Sequence, residues 1–380
     1  MKIKSKLPDV GVTIFTVMSA MAKQYKAINL SQGFPDFPIS GKLKEYLNEA
    51  LQNEQVQYAP LAGRPDLLEA LATKLDEQHK IEVVPEKNIL ITAGATQAIY
   101  SIISSLVHEK DEVILFDPAY DCYDPVIRFN KGIPVHINLK FPSFNIDWNE
   151  VKSKVTAKTR MIIINNPHNP SGAVLTEDDL KQLENLVKEY PNLIVLSDEV
   201  YEHIQFSGKH QSILGNEVLR ERGVAVYSFG KTFHVTGWKI GYCVAPESLM
   251  TEIKKHHQYN VFCVNNSMQY ALAKYLENFS FWDGISSMYE KRRDLFLDKI
   301  KSSRFKTIDC HGTYFSLLDY SEISDEKDTE FAKRLCQEFG VAVIPVSVFY
   351  QDNTDNKVVR VCFAKQELTI KEGVKRLCQV

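Results

Sequence analysis

From about residue 64, short runs of consecutive apolar residues alternate with stretches of helical periodicity. The runs Asn88–Thr92, Val113–Phe116, Met161–Ile164, Leu193–Leu196 and Val224–Phe229 are nearly all apolar instead of alternating. A strand covered by helices on both faces has this character, whereas a half-exposed strand alternates with period two. The pattern predicts an α/β fold with a mostly parallel central sheet flanked by helices, in a large domain over 45–275. Further helical patterns follow at 247–258, 267–277 and 282–302. They lead into an α+β tail with strand-like 314–319, 341–344 and 358–363 and helix-like 327–339. That tail predicts a smaller domain made of 276–380 with the N-terminal segment 1–44.

Composition narrows the class. With 45 Lys+Arg against 48 Asp+Glu, the 380-residue chain offers no excess positive charge to nucleic acid or anionic lipid, so a small-molecule partner is favoured. The seven cysteines, at 122, 243, 263, 310, 336, 362 and 378, are never closer than sixteen residues, which fits neither a disulfide framework nor a metal knuckle. No apolar stretch approaches the ~20 residues that cross a bilayer, and MKIKSKLPDVG leads into a mixed polar segment. The expectation is a soluble, cytoplasmic protein with no metal and no membrane partner.

Polar residues punctuate the ends of the apolar runs, where ligands collect in open α/β sheets. Lys231 follows the run 224–229 within Ser228-Phe229-Gly230-Lys231-Thr232. Gly-Lys-Thr suggests a phosphate-binding P-loop, but that motif needs glycine at 225, where the chain has Ala225. A turn lysine on the surface and a nucleophilic lysine made reactive by desolvation both remain open. Asp198, in Leu196-Ser197-Asp198-Glu199-Val200-Tyr201, either caps a helix or pairs a buried cation. The turn Asn165-Asn166-Pro167-His168-Asn169-Pro170-Ser171-Gly172 holds its polar side chains on a rigid backbone. Ala93-Gly94-Ala95-Thr96-Gln97 places small residues where a strand meets a helical pattern, a place suited to an anion, and Lys239 could add a point charge. Arg360, alone within apolar Val358–Phe363, calls for an internal carboxylate or a substrate carboxylate. A nicotinamide dehydrogenase is disfavoured, because G-x-G-x-x-G occurs nowhere.

Taken in chain order, the segments NLSQGFPDF (29–37), QYAPLAGRPDL (57–67), TAGATQA (92–98), FDPAYDCY (116–123), NNPHNPSG (165–172), SDEVYEHI (197–204), SFGKTFHVTGWKIGY (228–242) and VRVCFAK (359–365) span essentially the whole chain. This set resembles the class I, fold-type I pyridoxal-5′-phosphate (PLP) aminotransferases, nearest to the methionine and kynurenine–glutamine subgroup. The resemblance implies that Lys231 carries PLP as a Schiff base and shuttles protons, and that Asp198 pairs with the pyridine nitrogen. Asn169 and Tyr201 would hold the phenolic oxygen, and Tyr120 would stack on the ring. Ala95, Thr96, Ser228 and Lys239 would hold the phosphate, helped by Tyr58 from the partner of a homodimer. Arg360, Gly33 and Asn169 would clamp the substrate carboxylate, and Phe15, Phe34, Tyr58, Tyr120 and Phe262 would surround its side chain.

Two positions depart from the wider class: Lys239 stands where many relatives have arginine, and Tyr120 where aspartate-preferring members have tryptophan. The expected reaction moves an amino group from a hydrophobic, sulfur-containing or aromatic amino acid, methionine above all, to a 2-oxo acid. The alternatives are a kynurenine- or glutamine-preferring transaminase and a cysteine-conjugate β-lyase. A non-catalytic PLP-binding regulator is disfavoured, because the chain starts within the enzyme-like region.

Overall fold

The computed structural model describes residues 3–278, 282 and 284–380. Helix Ile14–Gln24, capped by the Thr13 side chain, precedes the short strand β1 (Ile28–Asn29). The central sheet is built from β2 (Ile89–Thr92), β3 (Glu112–Asp117), β4 (Ile133–Asn138), β5 (Thr159–Asn165), β6 (Ile194–Asp198), β7 (Gly223–Ser228) and β8 (Gly241–Val244). Its order is β2-β8-β7-β6-β5-β3-β4. Five neighbouring strands run parallel, and β8 is antiparallel to both β2 and β7.

Period-two alternation sends the apolar runs to both faces. Leu90, Val113, Met161, Leu196 and Val226 join one buried cluster, while Ile91, Ile114, Ile162, Val195 and Ala225 join another. Both faces are therefore covered, which is why the runs read as continuously apolar. Each of the five predicted strands is present within one or two residues. Two were not predicted. β4 is an edge strand, mostly unburied and carrying Pro134 and His136, and β8 is only four residues long.

The tail holds β9 (Lys306–Thr307), β10 (Phe315–Asp319), β11 (Val341–Ala342), β12 (Ile344–Pro345) and β13 (Val358–Cys362). β12-β13-β10-β9 form an antiparallel sheet, and β11 pairs in parallel with β1. The predicted strand 341–344 is thus two pieces, split at Val343 between two sheets. Helices Glu247–Asn260, Asn266–Leu276 and Asp328–Glu338 match the expected patterns. The expected helix over 282–302 is observed as Ile285–Ile300, and its position 283 lies outside the described residues. Among the described residues no helix is long and apolar enough to cross a membrane, and no cluster of His, Cys, Asp or Glu could hold a metal ion.

The sheet sets the place of the chemistry. Asn165, Asp198 and Ser228 end β5, β6 and β7, and Asn165 is in register with Asp198.

Candidate active site

A cavity of about 330 Å³ opens at these strand ends. Lys231 reaches it from the single helical turn Phe229–Thr232 directly after β7. Its Nζ donates to the Tyr314 hydroxyl at 2.9 Å and to the Gly33 carbonyl at 3.3 Å. Burial lowers the amine's pKa to about 8; the cations of Arg360 and Lys239 push the same way, and the Asp198 carboxylate opposes them.

Asp198 is 4% exposed. Its Oδ2 accepts from the Tyr123 hydroxyl at 2.6 Å and its Oδ1 from the Val200 amide at 3.4 Å. Burial raises its pKa to about 6, against the pull of those hydrogen bonds and of Lys231. The next side chain, Glu199, accepts from Ser197 Oγ, the Ile213 amide, Tyr227 Oη and His210 Nε2. Asp198 is thereby fixed on a turn anchored from behind. Tyr201, on the same turn, is buried with its ring edge-on to Tyr314, and burial raises its phenol pKa.

Arg360 projects from β13 and is 1% exposed. Its Nη1 donates to Asn169 Oδ1 at 2.8 Å and its Nη2 to the Ser31 carbonyl at 3.1 Å, while its Nε has no hydrogen-bond partner among the described residues. The guanidinium carbon lies 3.9 Å from the Phe315 ring centre and 5.3 Å from that of Phe15. Phe15 is held there because Gln32 Nε2 donates to its carbonyl at 2.9 Å. Asn169 is itself oriented by its amide, which donates to Asn165 Oδ1 at 2.8 Å.

At another wall, helix Ala95–Leu106 begins after Gly94, which has φ 78°. A Cβ on Gly94 would lie 3.4 Å from Nζ and Cε of Lys239, and one on Gly241 would sit 3.0 Å from the Ala95 nitrogen. Gly94 is required by its positive φ, and glycine at 241 lets β8 close over the helix N-terminus. The free amides of a first helical turn, a lysine and Ser228 make a cradle for an anion.

The cavity thus gathers Lys231, Asp198, Tyr201, Asn169, Ala95, Thr96, Tyr120, Ser228, Lys239, Gly33, Arg360 and Phe15. Three expected residues are not in it. Phe262 was expected to touch substrate, but it does not line the cavity of its own chain; it is 47% exposed and packs edge-on against Tyr58 at 5.4 Å. Tyr58 is 83% exposed and Phe34 43% exposed, likewise outside the cavity. Sequence reasoning missed Gln32, Asn165, Tyr123, Tyr314 and Phe315 as site residues. The first three lie inside the quoted motifs, whereas Tyr314 and Phe315 lie at a strand-like run that reads as plain core.

A family model described as aminotransferase class I and II matches residues 25–377. The methionine aminotransferase of Escherichia coli (strain K12) is 46% identical over 379 residues, covering 99% of this chain and 98% of that protein. The crystal structure of YbdL from Escherichia coli, for which a methionine aminotransferase function was identified, superposes with a TM-score of 0.98 at 45% identity, covering 100% of both chains. The kynurenine–oxoglutarate transaminase of Dictyostelium discoideum is 32% identical over 410 residues, covering 97% of this chain and 94% of that protein. With its buried lysine, aspartate and arginine gathered at the strand ends of an α/β sheet, the chain belongs to the class I and II aminotransferase family.

Proposed function

We propose that this aminotransferase binds PLP and moves the α-amino group of a methionine-like amino acid to a 2-oxo acid in a ping-pong cycle. One observation carries the reading: Asp198 and Arg360 are both buried in the lining of one cavity, and among the described residues neither enters an ion pair. An uncompensated buried charge is costly, so each calls for an opposite charge from a ligand. PLP with an amino acid brings a pyridinium cation, a phosphate anion and a substrate carboxylate. Asp198, the cradle at Ala95, and Arg360 match these in sign.

In this reading Lys231 carries the cofactor covalently, and Ala95, Thr96, Ser228 and Lys239 hold its phosphate. Asn169 and Tyr201 would hydrogen-bond its phenolic oxygen, and Tyr120 would lie against its ring. PLP, when bound, supplies an electron sink for the charge left at the substrate α-carbon. Asp198 would keep a bound cofactor's pyridine nitrogen protonated, and the Lys231 amine would take the proton from that carbon. Arg360, with Asn169 and Gly33, holds the carboxylate and so orients the α-carbon toward Lys231. Phe15 and Phe315 give the pocket an apolar aromatic wall suited to a thioether.

The resemblance to methionine aminotransferase supports that donor over kynurenine or glutamine. We also propose a homodimer in which Tyr58, exposed beside Phe262, completes the partner's site, and a division into 45–275 and 1–44 with 276–380.

Absorbance of the PLP-loaded protein tests the reading. Methionine is expected to convert the lysine-linked cofactor band to that of pyridoxamine phosphate faster than glutamate or kynurenine does. If borohydride fixes no PLP to Lys231, the reading falls. Arg360→Met is expected to raise KM for methionine by about 10²-fold or more, the scale of a lost buried charge pair, while leaving PLP content unchanged. Steady-state kinetics beside cofactor stoichiometry read that split.

A further inference from the structure

Tyr314 stands in none of the motifs, yet it is the side chain that touches the Lys231 amine. It lies just before β10, with no exposed surface. Its hydroxyl donates to the Gly33 carbonyl at 2.5 Å and accepts from Lys231 Nζ at 2.9 Å. A phenol has one proton to give, and here the Gly33 carbonyl takes it, so what faces Lys231 is a lone pair. The Gly33 carbonyl also accepts from the same amine at 3.3 Å. A neutral primary amine has two N–H bonds and one lone pair. Two acceptors occupy both N–H bonds and leave the lone pair as the amine's only free valence, the form that can take a proton from carbon.

The anchor is rigid. The Tyr314 ring meets Tyr201 at 5.1 Å and 85°, Phe315 at 4.9 Å and Tyr289 at 5.7 Å. Thr313 turns the chain at φ 66°, an uncommon conformation for a β-branched residue, and its hydroxyl accepts from the Phe315 amide at 3.1 Å. Burial keeps the phenol protonated by raising its pKa well above the usual value. The other titratable groups facing Lys231 are Asp198, Lys239, Arg360, Tyr201 and Cys362.

We infer that Tyr314 is a positioning residue for Lys231: with the Gly33 carbonyl it parks the lysine amine whenever that amine is not bonded to the cofactor, and it orients the lone pair for proton transfer. This rests on the reading of Lys231 as the cofactor lysine.

Tyr314→Phe removes the acceptor and keeps the ring. A charge-assisted bond favours ammonium over amine, so its loss lowers the Lys231 pKa by about one unit. Pulse acetylation of the full-length protein freed of cofactor, read by peptide mass spectrometry across pH, is expected to show that fall in the Lys231 midpoint. In the loaded enzyme kcat is expected to drop about 10-fold with KM for methionine unchanged, because the carboxylate is held elsewhere. Tyr289→Phe, which removes a hydroxyl bonded to His234, leaves both readouts at wild-type values. 4-Fluorophenylalanine at 314, whose fluorine fills the hydroxyl's place, hardly accepts and does not titrate, moves the midpoint the same way, which keeps the test open should the phenylalanine variant fold poorly. An unmoved Lys231 midpoint in the acceptor variants overturns the assignment. If borohydride fixes PLP to some other lysine in the wild type, it is the reading of Lys231 that fails.

Discussion

Lys231→Ala is expected to lower methionine transamination by about 10⁴-fold or more, because one amine is asked both to hold the cofactor and to move the α-proton. Cofactor content should fall less than turnover, since the anion cradle, Asp198 and Asn169 remain in place. Small primary amines added to the variant are expected to restore part of the rate, in proportion to their neutral fraction. The cofactor-free wild type carries a matching pH signature. Lys231 attacks PLP only as the neutral amine, and in the cofactor-free protein its pKa is lowered to about 8. The rate of PLP capture should therefore climb with rising pH and level off above that value. Stopped-flow measurement of PLP capture and of the half-reaction reads the two effects, and near-full turnover by Lys231→Ala without added amine would remove the lysine from the mechanism.

The place of that lysine at a strand end was legible in the sequence because strands covered on both faces read as unbroken apolar runs, whereas its role came from the resemblance. Runs such as Leu193–Leu196 and Val224–Phe229 are apolar on both faces, so the polar residues that stop them mark the strand ends where ligands bind. β4 was illegible for the converse reason: an edge strand has one open side, and Pro134 and His136 are tolerated there. Tyr314 and Phe315 were missed because an aromatic beside a strand looks the same whether it faces core or cavity. Only the fold brings them to Lys231 and Arg360, the first 83 positions from Tyr314 along the chain and the second on β13, the strand paired with that of Phe315. Phe262, expected at the substrate, lies outside the cavity of its own chain and packs against the exposed Tyr58.

Asp198→Asn is expected to separate stability from catalysis. Without cofactor, Asp198 is a buried carboxyl whose pKa is raised from 3.8 to about 6. Between those values the folded state binds more protons than the unfolded state, so stability falls as pH rises from about 4 to about 6 and stays lowered above that. A shift of about two units corresponds to roughly 3 kcal/mol. Asparagine carries no charge to desolvate, and its side-chain oxygen can still accept from Tyr123. Cofactor-free Asp198→Asn should therefore melt a few degrees above cofactor-free wild type at pH 7 and lose that advantage near pH 4. With PLP bound the order reverses, because a pyridinium cation beside Asp198 turns a cost into an ion pair that asparagine cannot make. Turnover should fall by about 10²-fold or more while PLP stays bound, since a neutral amide no longer holds the pyridine proton that makes the ring an electron sink. Melting curves with and without PLP at the two pH values, beside kcat, decide it. A variant with unchanged kcat, or one less stable than wild type in the cofactor-free form at pH 7, would show that the Asp198 charge is satisfied by the protein itself and is not kept for a ligand.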